Sequence, residues 1–211
     1  MAAIYLVRHG QASFGAADYD QLSARGEQQA QLLGQWLKDC HLPVEKVYLG
    51  QAKRHLQTAQ HCLAMTDNLS ASAWQSLTGF NEFDHEQVLM KLDTARYPTR
   101  EALMQAIAAT EHPKKTLGKL FGAAMQRWQC GEYDGDYTET WPQFQARSIA
   151  ALNDIVAQSV GQHSVVFSSG GVISVIVQAL MGLSDQATFE LNWALVNCGI
   201  TQIRSDGRKH T

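Results

Sequence analysis

The sequence predicts an α/β fold: a three-layer α/β/α sandwich with a mostly parallel central sheet and a small helical cap insertion. Three observations predict it. Short aliphatic runs, among them IYLV at residues 4–7, KVYL at 46–49 and SVVF at 164–167, alternate with longer segments of helical spacing, the rhythm of βα units. These runs are apolar at nearly every position, as strands covered on both faces are, instead of alternating with polar residues. Each ends at a charged or glycine-containing turn that leads into a helical pattern, a connection that returns the chain to the same sheet.

Taken in order, residues 4–7 form the first strand and end at Arg8-His9-Gly10. From Ser23 onward, SARGEQQAQLLGQWLKDC sets Ala30, Leu33 and Leu37 at helical spacing, with Ser23 as N-cap. Residues 46–49 are the second strand, and residues 52–63 a second helix whose apolar stripe runs through Ala52, Leu56, Ala59 and Leu63. A weaker third strand at 71–77 leads into GFNEFDHE, whose Gly, Asn and Asp favour a loop. From about residue 83 to 140 the pattern breaks into helical fragments interrupted by Pro98 and Pro113, read as a cap inserted into one domain spanning residues 1–211. A helix at 142–159, the strand at 164–167, a Gly170-Gly171 turn and an apolar helix at 172–180 follow, and the runs 188–195 and 199–204 read as two strands closing the sheet.

Composition narrows the function classes. A chain of 211 residues with 45% hydrophobic content can bury a full core without a disulfide or metal. The net charge of −3 provides no broad basic field, so nucleic acid and anionic membrane are not expected partners. Cys40, Cys62, Cys130 and Cys198 form no CxxC or mixed Cys/His spacing of a zinc site. The N-terminus passes directly into a strand, without the basic and apolar regions of a secretory leader, and no apolar segment reaches the roughly 18–20 residues that span a bilayer. A cytoplasmic location is the expectation.

In open α/β sheets, ligands bind beyond the carboxyl ends of the strands. Three polar clusters fall there: Arg8-His9-Gly10, Lys53-Arg54-His55 and Ser168-Ser169-Gly170-Gly171, with Glu82 after the weak third strand. Phosphoryl transfer suits this combination. Arg8 and Arg54 offer planar forks of donors to phosphate oxygens, and the helix starting at Val172 presents unpaired N–H groups to an anion. His9 can act as nucleophile through a neutral ring nitrogen, and Glu82 can pass a proton to a leaving alkoxide and take one from water. Taken singly, each residue is equally a solvated turn, surface charge or loop carboxylate; their joint placement at strand ends carries the argument.

LVRHGQ, KRHLQTA, FNEFD and SSGGVI stand in the order and spacing of the histidine phosphatase superfamily, which includes phosphoglycerate mutases and sugar-phosphate phosphatases. The chain resembles that family over most of its length, through DYDQLSARGEQQAQLLGQWL and NCGITQI, and least in the cap. The resemblance implies that His9 accepts the phosphoryl group, that Arg8 and Arg54 bind it, that Glu82 is the acid/base and that Gln11 fills the position where Glu or Gln is usual. It also implies that no metal or other cofactor is needed, and that the partner is a small phosphorylated substrate or inorganic phosphate.

Three departures qualify the resemblance. The family's fourth block usually reads S-H-G-G, whereas here Ser169 takes the histidine position; losing one transition-state donor commonly costs about 10² to 10³ in rate. An aromatic-Asn pair after the first motif is replaced by Phe14-Gly15, with Ser13 as a substitute hydroxyl. After Glu82 comes Asp84-His85-Glu86, which makes His85 a candidate to return the imidazole. The sequence therefore supports a phosphatase of reduced or altered activity that retains the Gly170 cradle, with a phospho-ligand-binding protein or a mutase-like phosphotransferase as alternatives; it leaves the substrate and the oligomeric state open.

Overall fold

The computed structural model describes residues 2–13, 20–66 and 73–205. Their elements are β1 (Ala2–Arg8), α1 (Ala24–Asp39), β2 (Lys46–Leu49), α2 (Lys53–Leu63), β3 (Gln75–Ser76), α3 (His85–Met90), α4 (Arg100–Ala108), α5 (Pro113–Gln129), α6 (Trp141–Gln158), β4 (Ser164–Ser168), α7 (Gly170–Met181), α8 (Asp185–Ala194) and β5 (Ile200–Ser205). The chain divides into two compact units, one of Met1–Glu82 with Arg147–Thr211 and one of Phe83–Ala146.

The first unit holds a five-stranded sheet in the order β3-β2-β4-β1-β5. β1, β2, β3 and β4 run parallel, and β5 pairs antiparallel with β1, so the sheet is mostly parallel with helices on both sides. Burial explains the aliphatic runs. Tyr5 and Val7 join Val47, Leu49, Val165 and Phe167 in a core closed by Ala30, Leu33 and Leu37 of α1 and Ala59, Cys62 and Leu63 of α2. Ile4 and Leu6, pointing the other way, are equally sealed from solvent. Ser23 caps α1 as its sequence implies, accepting from the Gly26 N–H at 3.1 Å.

Two expectations are corrected. The run at 188–195 is not a strand but most of α8, and its apolar residues Phe189, Leu191, Trp193 and Leu195 alternate by chance with period two. Local helix signals prevail: Gly182, at φ 66°, ends α7, Ser184 accepts from the Ala187 N–H at 3.2 Å and Asp185 sits in the first turn. α2 is turned relative to its apolar stripe, for Leu56 is 41% exposed while His55, Thr58, Ala59, Cys62 and Leu63 face inward.

In the second unit, Tyr97, Leu103 and Ile107 pack with Leu89, Met104, Leu117 and Leu120. The Trp128 ring, 1% exposed, lies 4.9 Å from Phe83 and 5.2 Å from Trp141 between centroids. These aromatics are core to one another.

The loop after β1 is held tightly on α1. The Ser23 N–H and hydroxyl both donate to the Gln11 carbonyl, at 2.9 and 3.1 Å, and a Cβ on Gly26 would lie 2.2 Å from that oxygen. Gly26→Ala must therefore push α1 away from the segment that carries His9. We expect a loss of about 2–4 kcal/mol, or a Tm lower by roughly 5–15 °C in thermal unfolding, against about 1 kcal/mol for Ser23→Ala.

Candidate active site

The parallel register sets the site. Arg8 pairs with Ser168 across β1 and β4, and the ladder continues past both strands, with the His9 N–H donating to the Ser168 carbonyl at 2.9 Å and the Gly50 N–H to the Phe167 carbonyl at 3.1 Å. The carboxyl ends of β1, β4 and β2 thus lie side by side. They deliver Arg8-His9, Ser168-Ser169 and, through the start of α2, Arg54-His55.

His9 is 9% exposed and its Nδ1 lies 2.7 Å from the Gly10 carbonyl oxygen. A carbonyl only accepts, so Nδ1 carries the proton and the neutral ring keeps its lone pair on Nε2. The surrounding backbone is tied down by side chains. The Asn197 amide donates to the His9 carbonyl at 2.9 Å, and the Gly10 N–H donates to Thr58 Oγ1 at 3.0 Å, whose own proton goes to the Arg54 carbonyl at 2.6 Å.

Both arginines are anchored. Arg8 donates to the Leu195 carbonyl. Arg54 pairs with Asp20 at 2.5 Å, and the other Asp20 oxygen accepts the Lys53 N–H at 2.9 Å, leaving the second Arg54 amino group 3.5 Å from Ser169 Oγ. Glu82 accepts the Gly171 N–H at 3.1 Å, which fixes its carboxylate against the first turn of α7.

Ser169 is the N-cap residue of α7 and 1% exposed, yet its hydroxyl makes no capping bond. It lies instead 2.7 Å from Nε2 of the fully buried His55. The His55 and His9 rings are 5.8 Å apart between centroids.

Two imidazoles under two guanidinium groups stay neutral. Burial, then the charge of Arg54, brings the His9 pKa from 6.5 down to about 3; Arg8 adds to this, while the Gly10 carbonyl and Asp20 oppose it. Burial, then His9 and Arg54, hold His55 well below its ordinary value, with the Gly50 backbone pulling weakly the other way. The result is an unprotonated ring nitrogen beside two guanidinium groups, chemistry suited to a dianion and nucleophilic attack on it.

The remaining residues expected from sequence fall as follows. Gln11 is exposed, its N–H donating to Gln29 Oε1 at 2.9 Å. Ser13 gives its hydroxyl proton to the Leu22 carbonyl at 3.0 Å. Gly170 opens α7, buried against the Asn192 side chain. His85 opens α3 at an exposed position in the other unit, and Phe14 lies outside the described residues. Sequence reasoning missed Asp20, a loop carboxylate without a signature, and gave no role to His55, although it stands beside Arg54. Among the described residues no three His, Cys, Asp or Glu side chains cluster in a way that could hold a metal ion.

The family description "Histidine phosphatase superfamily (branch 1)" matches residues 4–211, whereas no curated protein matches the sequence. Among solved structures, phosphoglycerate mutase from Bacillus anthracis is 18% identical, with 100% of this chain and 90% of that one covered and a TM-score of 0.64. A phosphoserine phosphatase variant from Entamoeba histolytica, in complex with phosphoserine, is 19% identical, with coverage of 100% and 94% and a TM-score of 0.66. A mycobacterial glucosyl-3-phosphoglycerate phosphatase is 20% identical, with coverage of 99% and 94% and a TM-score of 0.56. At such identities these structures speak for the fold; the match over residues 4–211 places the chain in the histidine phosphatase superfamily, branch 1.

Proposed function

We propose that the chain is a phosphomonoesterase that hydrolyses a small phosphorylated molecule through a phosphohistidine on His9. The observation that carries this reading is the tautomer: with Nδ1 donating to the Gly10 carbonyl, Nε2 is the basic, nucleophilic atom. In the first step Nε2 bonds to phosphorus and the ester P–O bond breaks, while Glu82 gives its proton to the departing alkoxide. The phosphorylated ring is positive, and the Gly10 carbonyl accepts from the remaining Nδ1–H throughout. In the second step Glu82 takes a proton from water, whose oxygen displaces the ring from phosphorus and releases inorganic phosphate.

Arg8 and Arg54 balance charge on the non-bridging oxygens, which in phosphoryl transfer supplies much of the acceleration. Gln11, Ser13, Phe14 and Gly170 are the further candidates for contact with substrate. The Entamoeba phosphatase structures hold phosphoserine and 3-phosphoglyceric acid, so carboxylated phosphomonoesters head the substrate panel.

Metal-free protein incubated with p-nitrophenyl phosphate and sugar, nucleotide and amino-acid phosphates is expected to turn over at least one of them. His9→Ala should lower kcat by at least about 10⁴-fold, and rapid quench should trap acid-labile phosphate on wild-type protein alone. Absence of turnover above the His9→Ala background on every substrate contradicts the proposal.

The neutral His9 also predicts a pH dependence of stability. Its pKa is about 3 in the fold against 6.5 ordinarily, so between those values the unfolded chain binds the extra proton and acidification favours unfolding. Above about pH 6.5 the effect vanishes; below it, each pH unit costs wild type roughly 1.4 kcal/mol relative to His9→Gln, until the folded state protonates. Denaturant unfolding of both proteins between pH 7 and 4 measures the difference in slope.

A further inference from the structure

His55 has no part in the steps above, yet it occupies a place made for it. A Cβ on Gly50 would lie 2.4 Å from His55 Nδ1, so only glycine there leaves room for the ring. Ser169, with N-cap backbone angles of φ −116° and ψ 166°, does not use its hydroxyl to cap α7, the bond a serine at that position ordinarily makes. The hydroxyl is turned 2.7 Å from His55 Nε2, in a pair that is 0% and 1% exposed and stands beside the His9 ring.

We propose that His55 and Ser169 work as one unit, with His55 positioning the Ser169 hydroxyl as a hydrogen-bond donor to the phosphoryl group; this rests on the reading of His9 as the phosphoryl acceptor. Two arrangements of the protons are distinguishable, and only one serves a dianion. A serine oxygen has one proton and two lone pairs. If the proton went to His55, Ser169 would present only lone pairs to a dianion. If His55 Nε2–H donates to Oγ, with the Arg54 amino group 3.5 Å away on the same oxygen, the hydroxyl proton is left for a phosphoryl oxygen. Donation into Oγ polarises the O–H and strengthens it as a donor. The imidazole thus acts from α2, through a hydroxyl on α7, and His55 is a positioning residue.

Steady-state kinetics on p-nitrophenyl phosphate with His55→Ala, Ser169→Ala and the double variant test this, each checked by circular dichroism. Each single change is expected to lower kcat about 10²-fold with KM within about threefold, and the double variant to be no worse than the poorer single one. Gly50→Ala, which displaces the ring without removing it, should reproduce the loss. With 15N-labelled histidine, saturation with inorganic phosphate should leave His55 Nε2 protonated. Multiplicative losses near about 10⁴, wild-type kcat in folded His55→Ala, or an unprotonated Nε2 overturns the proposal. If wild type shows no turnover, the phosphatase reading fails separately, and the same cycle is read in orthovanadate Kd: equal, non-additive weakening supports the unit, and additive or absent weakening overturns it.

Discussion

Everything in the site hangs on the pairing of β1 with β4. Their parallel register sets Arg8 opposite Ser168, and the next bond in the ladder, from the His9 N–H to the Ser168 carbonyl, carries the pairing into the loops. A one-residue slip would turn every side chain of β1 to the opposite face, sending Val7 out of the core shared with Phe167. The hydrophobic core therefore enforces the register, and the register places His9 beside Ser169.

Electrostatics then acts on groups whose positions are already set. Arg54 is held by Asp20, and Arg8 by the Leu195 carbonyl, so the cations are aimed before a ligand arrives and little side-chain entropy remains to be lost on binding. Both imidazoles yield to these charges and to burial by staying neutral. That suits a nucleophile, because the lone pair of His9 is available across the physiological range. It also leaves a dianion to bring its own compensating charge to the two guanidinium groups.

Sequence patterns told much of this in advance, and where they did not the reasons are physical. The doubly buried strands β1, β2 and β4 and the capped helix α1 announce themselves through local signals, as do Arg8, His9, Arg54, Glu82 and Ser169 at element ends. Helix α2 misleads because its stripe is scored by hydrophobicity: Leu56 looks like the inward residue, but the polar His55 and Thr58 point in, each with a specific polar partner. Helix α8 misleads because period-two apolar spacing mimics a strand while the capping signal at Ser184 is short. Asp20 could not be singled out, since its value lies in reaching Arg54 across 34 residues of chain. His85, raised as a source of imidazole, lies in the unit of residues 83–146, while an imidazole already stands against Ser169 in the first unit.

The most direct measurement is a crystal structure with orthovanadate, whose trigonal geometry imitates the phosphoryl group in flight. The account predicts vanadium bonded to His9 Nε2, with Nδ1 still on the Gly10 carbonyl and the Arg54 and Ser169 donors on equatorial oxygens. Vanadate bound away from His9, or bonded through Nδ1, would contradict it.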